Sequence, residues 1–145
     1  MPSCPPFVRF HAAPVCSLTS EVARTFSLPQ DGRWETLCVS DEGVAQWVSL
    51  QVDDSFEIDY VGVYNRLEPP EWQAWLGTFE VWVGQSAGDV GQSAHRCGGS
   101  PVTAPATAGP FFVPCKLASG TWVTVRQLGA ARYLTIAEVV VYQLN

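Results

Sequence analysis

Apolar and polar residues alternate with a period of two in several segments of this chain, and proline, glycine and aspartate interrupt the pattern each time. Nothing else in the sequence constrains the fold as tightly. Trp47–Val52, Thr78–Val83 and Thr121–Val125 alternate, which sends successive side chains to opposite faces of an extended backbone. Each reads as a half-buried strand. Phe56–Tyr64 follows the same rule and runs into Asn65-Arg66, so that an arginine at the strand end can face solvent and a ligand. Tyr133–Tyr142 starts as an alternation and becomes a continuous apolar run rich in β-branched residues, as a strand covered on both faces requires. Asp31-Gly32, Asp41-Glu42-Gly43, Pro69-Pro70 and Gly84–Asp89 supply turns between these runs. Helical patterning is scarce, and short strands divided by such turns predict a sandwich of antiparallel sheets.

With 145 residues, 47% apolar and 15% charged, the chain has enough material for one domain with a proper core. The expected organisation is a mobile end over residues 1–6 and a single β-sandwich domain over residues 7–145. A net charge of -6 argues against nucleic acid as a partner, because phosphate binding needs a surplus of lysine and arginine. No apolar run approaches the roughly 18–20 residues of a membrane span, so membrane insertion is not expected. Met1–Pro6 lacks the basic start and apolar centre of a signal peptide, so either a leader has been removed or secretion by that route does not apply.

Cys4, Cys16, Cys38, Cys97 and Cys115 include no C-x-x-C pair, which disfavours a zinc site. Their odd number would leave one thiol over, or paired between chains, in an oxidising compartment. Cys97 and Cys115 either form a bridge or remain as buried thiols. A bridge would close a loop too rich in glycine and proline to order itself, and would contribute about 3 kcal/mol, mainly by restricting the unfolded chain.

Taken in order, the segments form a recognisable series. Trp47 opens an alternating strand, and Val63-Tyr64-Asn65-Arg66 ends the next. Phe79-Glu80-Val81-Trp82-Val83-Gly84 follows, then the Cys97 to Cys115 loop and Gly120–Val125 in the form Gly-x-x-Val-x-Val. Leu134, Glu138, Val139, Val141 and Tyr142 close the series. This series resembles the discoidin or coagulation-factor type C domains, and within them the F-type lectin, or fucolectin, branch. The resemblance extends from about Asp31 to Tyr142, with Pro5–Gln30 supplying the first strands. It implies an eight-stranded antiparallel jelly-roll β-sandwich, a disulfide between Cys97 and Cys115, and loops at one end that bind a ligand, typically a sugar such as fucose.

The family holds fucose with an upstream histidine and two arginines. Arg66, following Asn65, matches the first arginine, and its planar fork of donors suits vicinal hydroxyls. At the second arginine position the chain has Trp75, before Leu76, after a Leu67–Ala74 loop two residues longer than usual. The acidic and paired-cysteine motif of that loop is replaced by Glu68-Pro69-Pro70-Glu71-Trp72. Leu37–Gln46 contains no histidine, and His11 and His95 fall in other segments. The candidate ligand residues are therefore Arg66, Asn65, Trp72, Trp75 and Glu71. Either Trp72 and Trp75 together form an exposed aromatic rim, or Trp75 packs beneath the loop and Trp72 alone is exposed. Trp34, Trp47, Trp82 and Trp122 are expected in the core or at its edge.

Asp31 and Glu138 stand where the family supplies oxygen ligands to calcium, whereas Arg33 occupies another ligand position and cannot coordinate a cation. Arg33 would then bridge the two carboxylates in place of the ion. Alternatively Asp31 is a turn residue and Glu138 faces solvent. Ala137 replaces the family's partner of Cys38, which leaves Cys38 to pair with Cys16 or Cys4, or to stay free.

An enzyme is not expected. The chain has no Gly-x-Ser-x-Gly elbow and no phosphate-cradling glycine loop, and the acidic pairs Asp53/Asp54 and Glu68/Glu71 read as solvated turns. Two readings follow from the resemblance. One is an extracellular or cell-surface carbohydrate-binding or adhesion module. The other is a protein-protein interaction domain of a larger extracellular or ciliary assembly that has lost the sugar site.

Overall fold

The computed structural model describes residues 8–10, 15–16, 23–26, 38–39, 46–52, 57–66, 69–130, 134–136 and 138–144. In chain order the strands are β1 (Val8–Phe10), β2 (Val15–Cys16), β3 (Ala23–Phe26), β4 (Cys38–Val39), β5 (Trp47–Gln51), β6 (Glu57–Tyr64), β7 (Thr78–Gly84), β8 (His95–Arg96), β9 (Val102–Thr103), β10 (Phe111–Ala118), β11 (Trp122–Gln127), β12 (Thr135–Ile136) and β13 (Glu138–Leu144). Eight of them have three residues or more, and these form two facing sheets of four. The first runs β1-β5-β11-β7, extended by β8 and β9 on β7, and the second runs β10-β6-β13-β3. Every pairing within the two sheets is antiparallel except β13 with β3. This is the sandwich expected from the alternation, with the eight strands that the family resemblance implies. The proposed mobile end, Met1–Pro6, lies outside the described residues.

The core fills the space between the sheets. Val48, Leu50, Val52, Phe79, Val81, Val83, Val123 and Val125 come from the first sheet, and Ile58, Val61, Val63, Val113, Val139 and Val141 from the second. All are below a tenth exposed, and burying each such side chain contributes about 1.5–3 kcal/mol. Strict alternation would put Ile58 and Val61 on opposite faces. A bulge reconciles them: β13 pairs Tyr142 with Tyr60 and then Gln143 with Ile58, so Asp59 is an extra residue on β6. Tyr60 consequently faces outward while Ile58, Val61 and Val63 all face the core.

Two expectations need correction. Tyr133–Tyr142 was read as one strand, but its β12 part pairs with β4 and its β13 part with β6. An apolar run records burial and not the identity of the pairing partner. Trp47, Trp82 and Trp122 alternate with core valines and so lie half-buried on the outer face of the first sheet, outside the core. Trp47 sits beneath the turn at Gly88, whose N–H donates to Ser49 Oγ at 2.8 Å. Trp34 lies outside the described residues.

Candidate functional site

β6 ends at Tyr64, and the next two residues have opposite fates. Asn65 is fully buried. Its Nδ2 donates to Gln73 O at 2.7 Å and to Thr107 O at 3.3 Å, and its Oδ1 accepts from the Arg66 N–H at 2.9 Å. Its backbone N–H donates to Ala108 O. The expectation that Asn65 contacts a ligand therefore changes: with its amide enclosed by three backbone partners, it positions the loop and presents no face to solvent. Arg66 is half-buried, and desolvation lowers its pKa from the ordinary guanidinium value without removing its charge at neutral pH.

The proline-bearing loop after Arg66 contains one helical turn, α1 (Pro70–Gln73). Pro69 is extended at the N-cap and Pro70 opens the helix, where a missing N–H and a fixed φ cost nothing. The turn continues through the Trp75 N–H bond to Trp72 O. Residues three apart on a helical turn share a face, and the two indoles stack with centroids 5.7 Å apart and planes 19° apart. Trp72 is 44% exposed and Trp75 is half-buried against it. The guanidinium of Arg66 lies over the Trp72 ring, Cζ 4.5 Å from its centroid. Glu71 is exposed in the first turn of α1. One loop thus brings Arg66, Trp72 and Trp75 into a single stack with Glu71 beside it.

Two side chains that sequence reasoning passed over hold this loop. Gln73 is buried and donates from Nε2 to Arg66 O at 2.9 Å, while Gln127, from the end of β11, donates to Trp75 O at 2.8 Å. Glutamine is ordinarily a surface residue, so neither carries a local signal. The segment after β9 completes the support: Ala104 N–H bonds Gly77 O, and the Thr78 and Thr103 hydroxyls are 3.1 Å apart.

A second arginine does not join the stack among the described residues. Arg96 and Arg126 lie on the first sheet's outer face, 3.2 Å and 3.9 Å from the nearly buried carboxylate of Glu80, which also accepts from Trp82 Nε1. His95 pairs with Val83, toward the end of β7 opposite the loop. Cys97 and Cys115 form a buried disulfide. Beside it the Cys97 N–H bonds Val81 O of the first sheet and the Gly98 N–H bonds Pro114 O of the second, so this corner ties the two sheets together.

The described residues contain no group of three or more His, Cys, Asp or Glu able to hold a metal ion. Asp31, Arg33 and Cys4 lie outside them. Glu138 starts β13 opposite Tyr64, and Cys16 pairs with Cys38 across β2 and β4, but their side chains are outside the description. No helix among the described residues is long and apolar enough to cross a membrane.

No protein-family model and no curated protein matches this chain. Solved structures do. A fucolectin from the serum of the striped bass Morone saxatilis matches with a TM-score of 0.64 and 22% identity over 79% of this chain, which spans 40% of that one. The lectin domain of lectinolysin, complexed with Lewis B antigen, matches with a TM-score of 0.62 and 15% identity over 79% of this chain and 81% of its own. CpGH89CBM32-5 from Clostridium perfringens, in complex with GalNAc-β-1,3-galactose, matches with a TM-score of 0.61 and 18% identity over 77% and 78%. At these identities the likeness shows the fold: this chain has the discoidin-like, coagulation-factor type C-like sandwich of these lectin and sugar-binding modules.

Proposed function

We propose that this domain is a non-catalytic binding module that takes a glycan at the loop end of the sandwich. The observation that carries this reading is the Arg66 guanidinium stacked on the exposed indole of Trp72. The exposed part of the Trp72 indole, left open beside the guanidinium, offers apolar surface to the C–H groups of a sugar ring. The guanidinium edge offers donors to adjacent hydroxyls. The named ligands of the lectinolysin and Clostridium structures are sugars, in keeping with this reading. Because Trp75 replaces the second arginine and no histidine occurs in Leu37–Gln46, the module is assigned an aromatic site in place of a fucose clamp. The disulfide supports an oxidising, extracellular or cell-surface setting.

A glycan array probed with the oxidised domain tests this, with and without a chelator and alongside Arg66→Ala. Binding that Arg66→Ala abolishes is expected. The chelator arm reports whether Asp31 and Glu138 support the site through calcium. Array silence, or binding indifferent to Arg66, overturns the proposal. Silence with a stable protein partner would instead favour an interaction domain, a reading supported by the same loss of the histidine and second arginine.

A further inference from the structure

The outer face of the second sheet carries an aromatic cleft that the loop site does not use. Tyr60, Phe112 and Tyr142 line a cavity of about 400 Å³, within the about 300–1,000 Å³ of small-molecule sites. Tyr60 is 44% exposed and Phe112 54%. The same face is closed at its other end, where Tyr64 and Val140 are buried together. Along β6 the cleft at Tyr60 lies six residues before Arg66, roughly 20 Å at the rise of a strand.

Gly62 builds the cleft. Phe112 on β10 and Tyr142 on β13 belong to strands separated by β6, whose backbones lie about 9–10 Å apart. Their rings nevertheless meet, centroids 6.2 Å apart and tilted by 57°. Phe112 pairs with Gly62 and leans over it, so that a Cβ there would stand 3.1 Å from Phe112 Cε1. The absent side chain lets the ring cross β6. Tyr60, brought to the outer face by the bulge at Asp59 and paired with Tyr142, supplies the third ring.

We propose that this cleft binds a small organic cation, a quaternary ammonium group of the choline type. Its three described lining residues are all aromatic, and the negative π-faces of aromatic rings attract a weakly hydrated cation. None of its described lining residues is basic. The three strands that form it carry Glu57, Asp59 and Glu138 against one base, Lys116, and the whole chain carries a net charge of -6. An anion is disfavoured on both counts.

The test is a chemical-shift titration of the oxidised domain with choline chloride. Controls are 3,3-dimethyl-1-butanol, which keeps the shape and lacks the charge, and galactose. Saturable shifts at Tyr60, Gly62, Phe112 and Tyr142 are expected with choline, with affinity about tenfold or more above the neutral isostere. Phe112→Leu and Tyr60→Leu, both at exposed positions, should each weaken choline at least threefold while leaving the remaining spectrum folded. Equal affinity for the two isosteres, a response to galactose at these residues, indifference to both substitutions, or no response to choline would each overturn the proposal.

Discussion

Asn65→Ala tests whether the candidate site depends on a buried amide. The substitution removes a side chain that is fully enclosed and takes one hydrogen bond each from Gln73 O, Thr107 O and the Arg66 N–H. The bond to Gln73 O is buried, but that carbonyl keeps a 3.3 Å bond from the Leu76 N–H, so its loss costs about 0.5–1.5 kcal/mol. The other two bonds are partly buried and contribute about 0.5–1.5 kcal/mol each, for a total of roughly 1.5–4.5 kcal/mol. Taking about 3 kcal/mol as a working value, a chain of this size should lose about 6–12 °C in melting temperature. Differential scanning calorimetry reads that loss, and tryptophan emission reads the accompanying release of Trp72 and Trp75. Asn65→Asp should fall below the alanine variant, because it turns an acceptor toward the two carbonyls that Nδ2 now serves. A melting temperature within about 2 °C of the parent for Asn65→Ala would refute the reasoning, since water would then be replacing all three bonds at little cost.

Two further perturbations address the scaffold. Replacing Cys97 and Cys115 together with alanine should cost about 3 kcal/mol in a denaturant melt, and reducing the parent protein should give the same shift. Gly88 and Gly99 both have positive φ, but a Cβ at Gly88 meets the Trp47 indole whereas one at Gly99 meets nothing within 4 Å. Gly99→Ala should therefore cost about 1–2 kcal/mol from backbone strain alone, and Gly88→Ala a further 1–3 kcal/mol or so from the clash. Equal urea midpoints for the two variants would show that the turn over Trp47 repacks freely.

Much of the sandwich was legible because the information lies in neighbouring residues. Val48, Leu50, Val81, Val83, Val123 and Val125 alternate with polar or aromatic partners, and a period of two has one structural meaning for a half-buried strand. Arg66 at a strand end, the turn residues between the strands and the Cys97–Cys115 bridge were also within reach. Asn65 was misplaced because an asparagine beside a candidate ligand residue looks the same whether it points out or in. Gln73 and Gln127 were missed for a related reason: a glutamine looks the same whether buried or exposed, and Gln127 meets its partner Trp75 from 52 residues away. The bulge at Asp59 was invisible because β6 still looks alternating when one residue is skipped.

The sequence by itself determined the class of fold, the faces of most strands, the position of Arg66, the presence of Trp75 and the absence of histidine from Leu37–Gln46. Those properties follow from local periodicity and from which side chains are present. The tertiary structure decided what the remaining residues do. It stacked Arg66 on Trp72 and Trp72 on Trp75, turned Asn65 inward as a loop anchor, and let Phe112 cross Gly62 to meet Tyr142. Each of these depends on register between strands that are not neighbours in sequence, and a single extra residue in β6 is enough to change which side chains share a face.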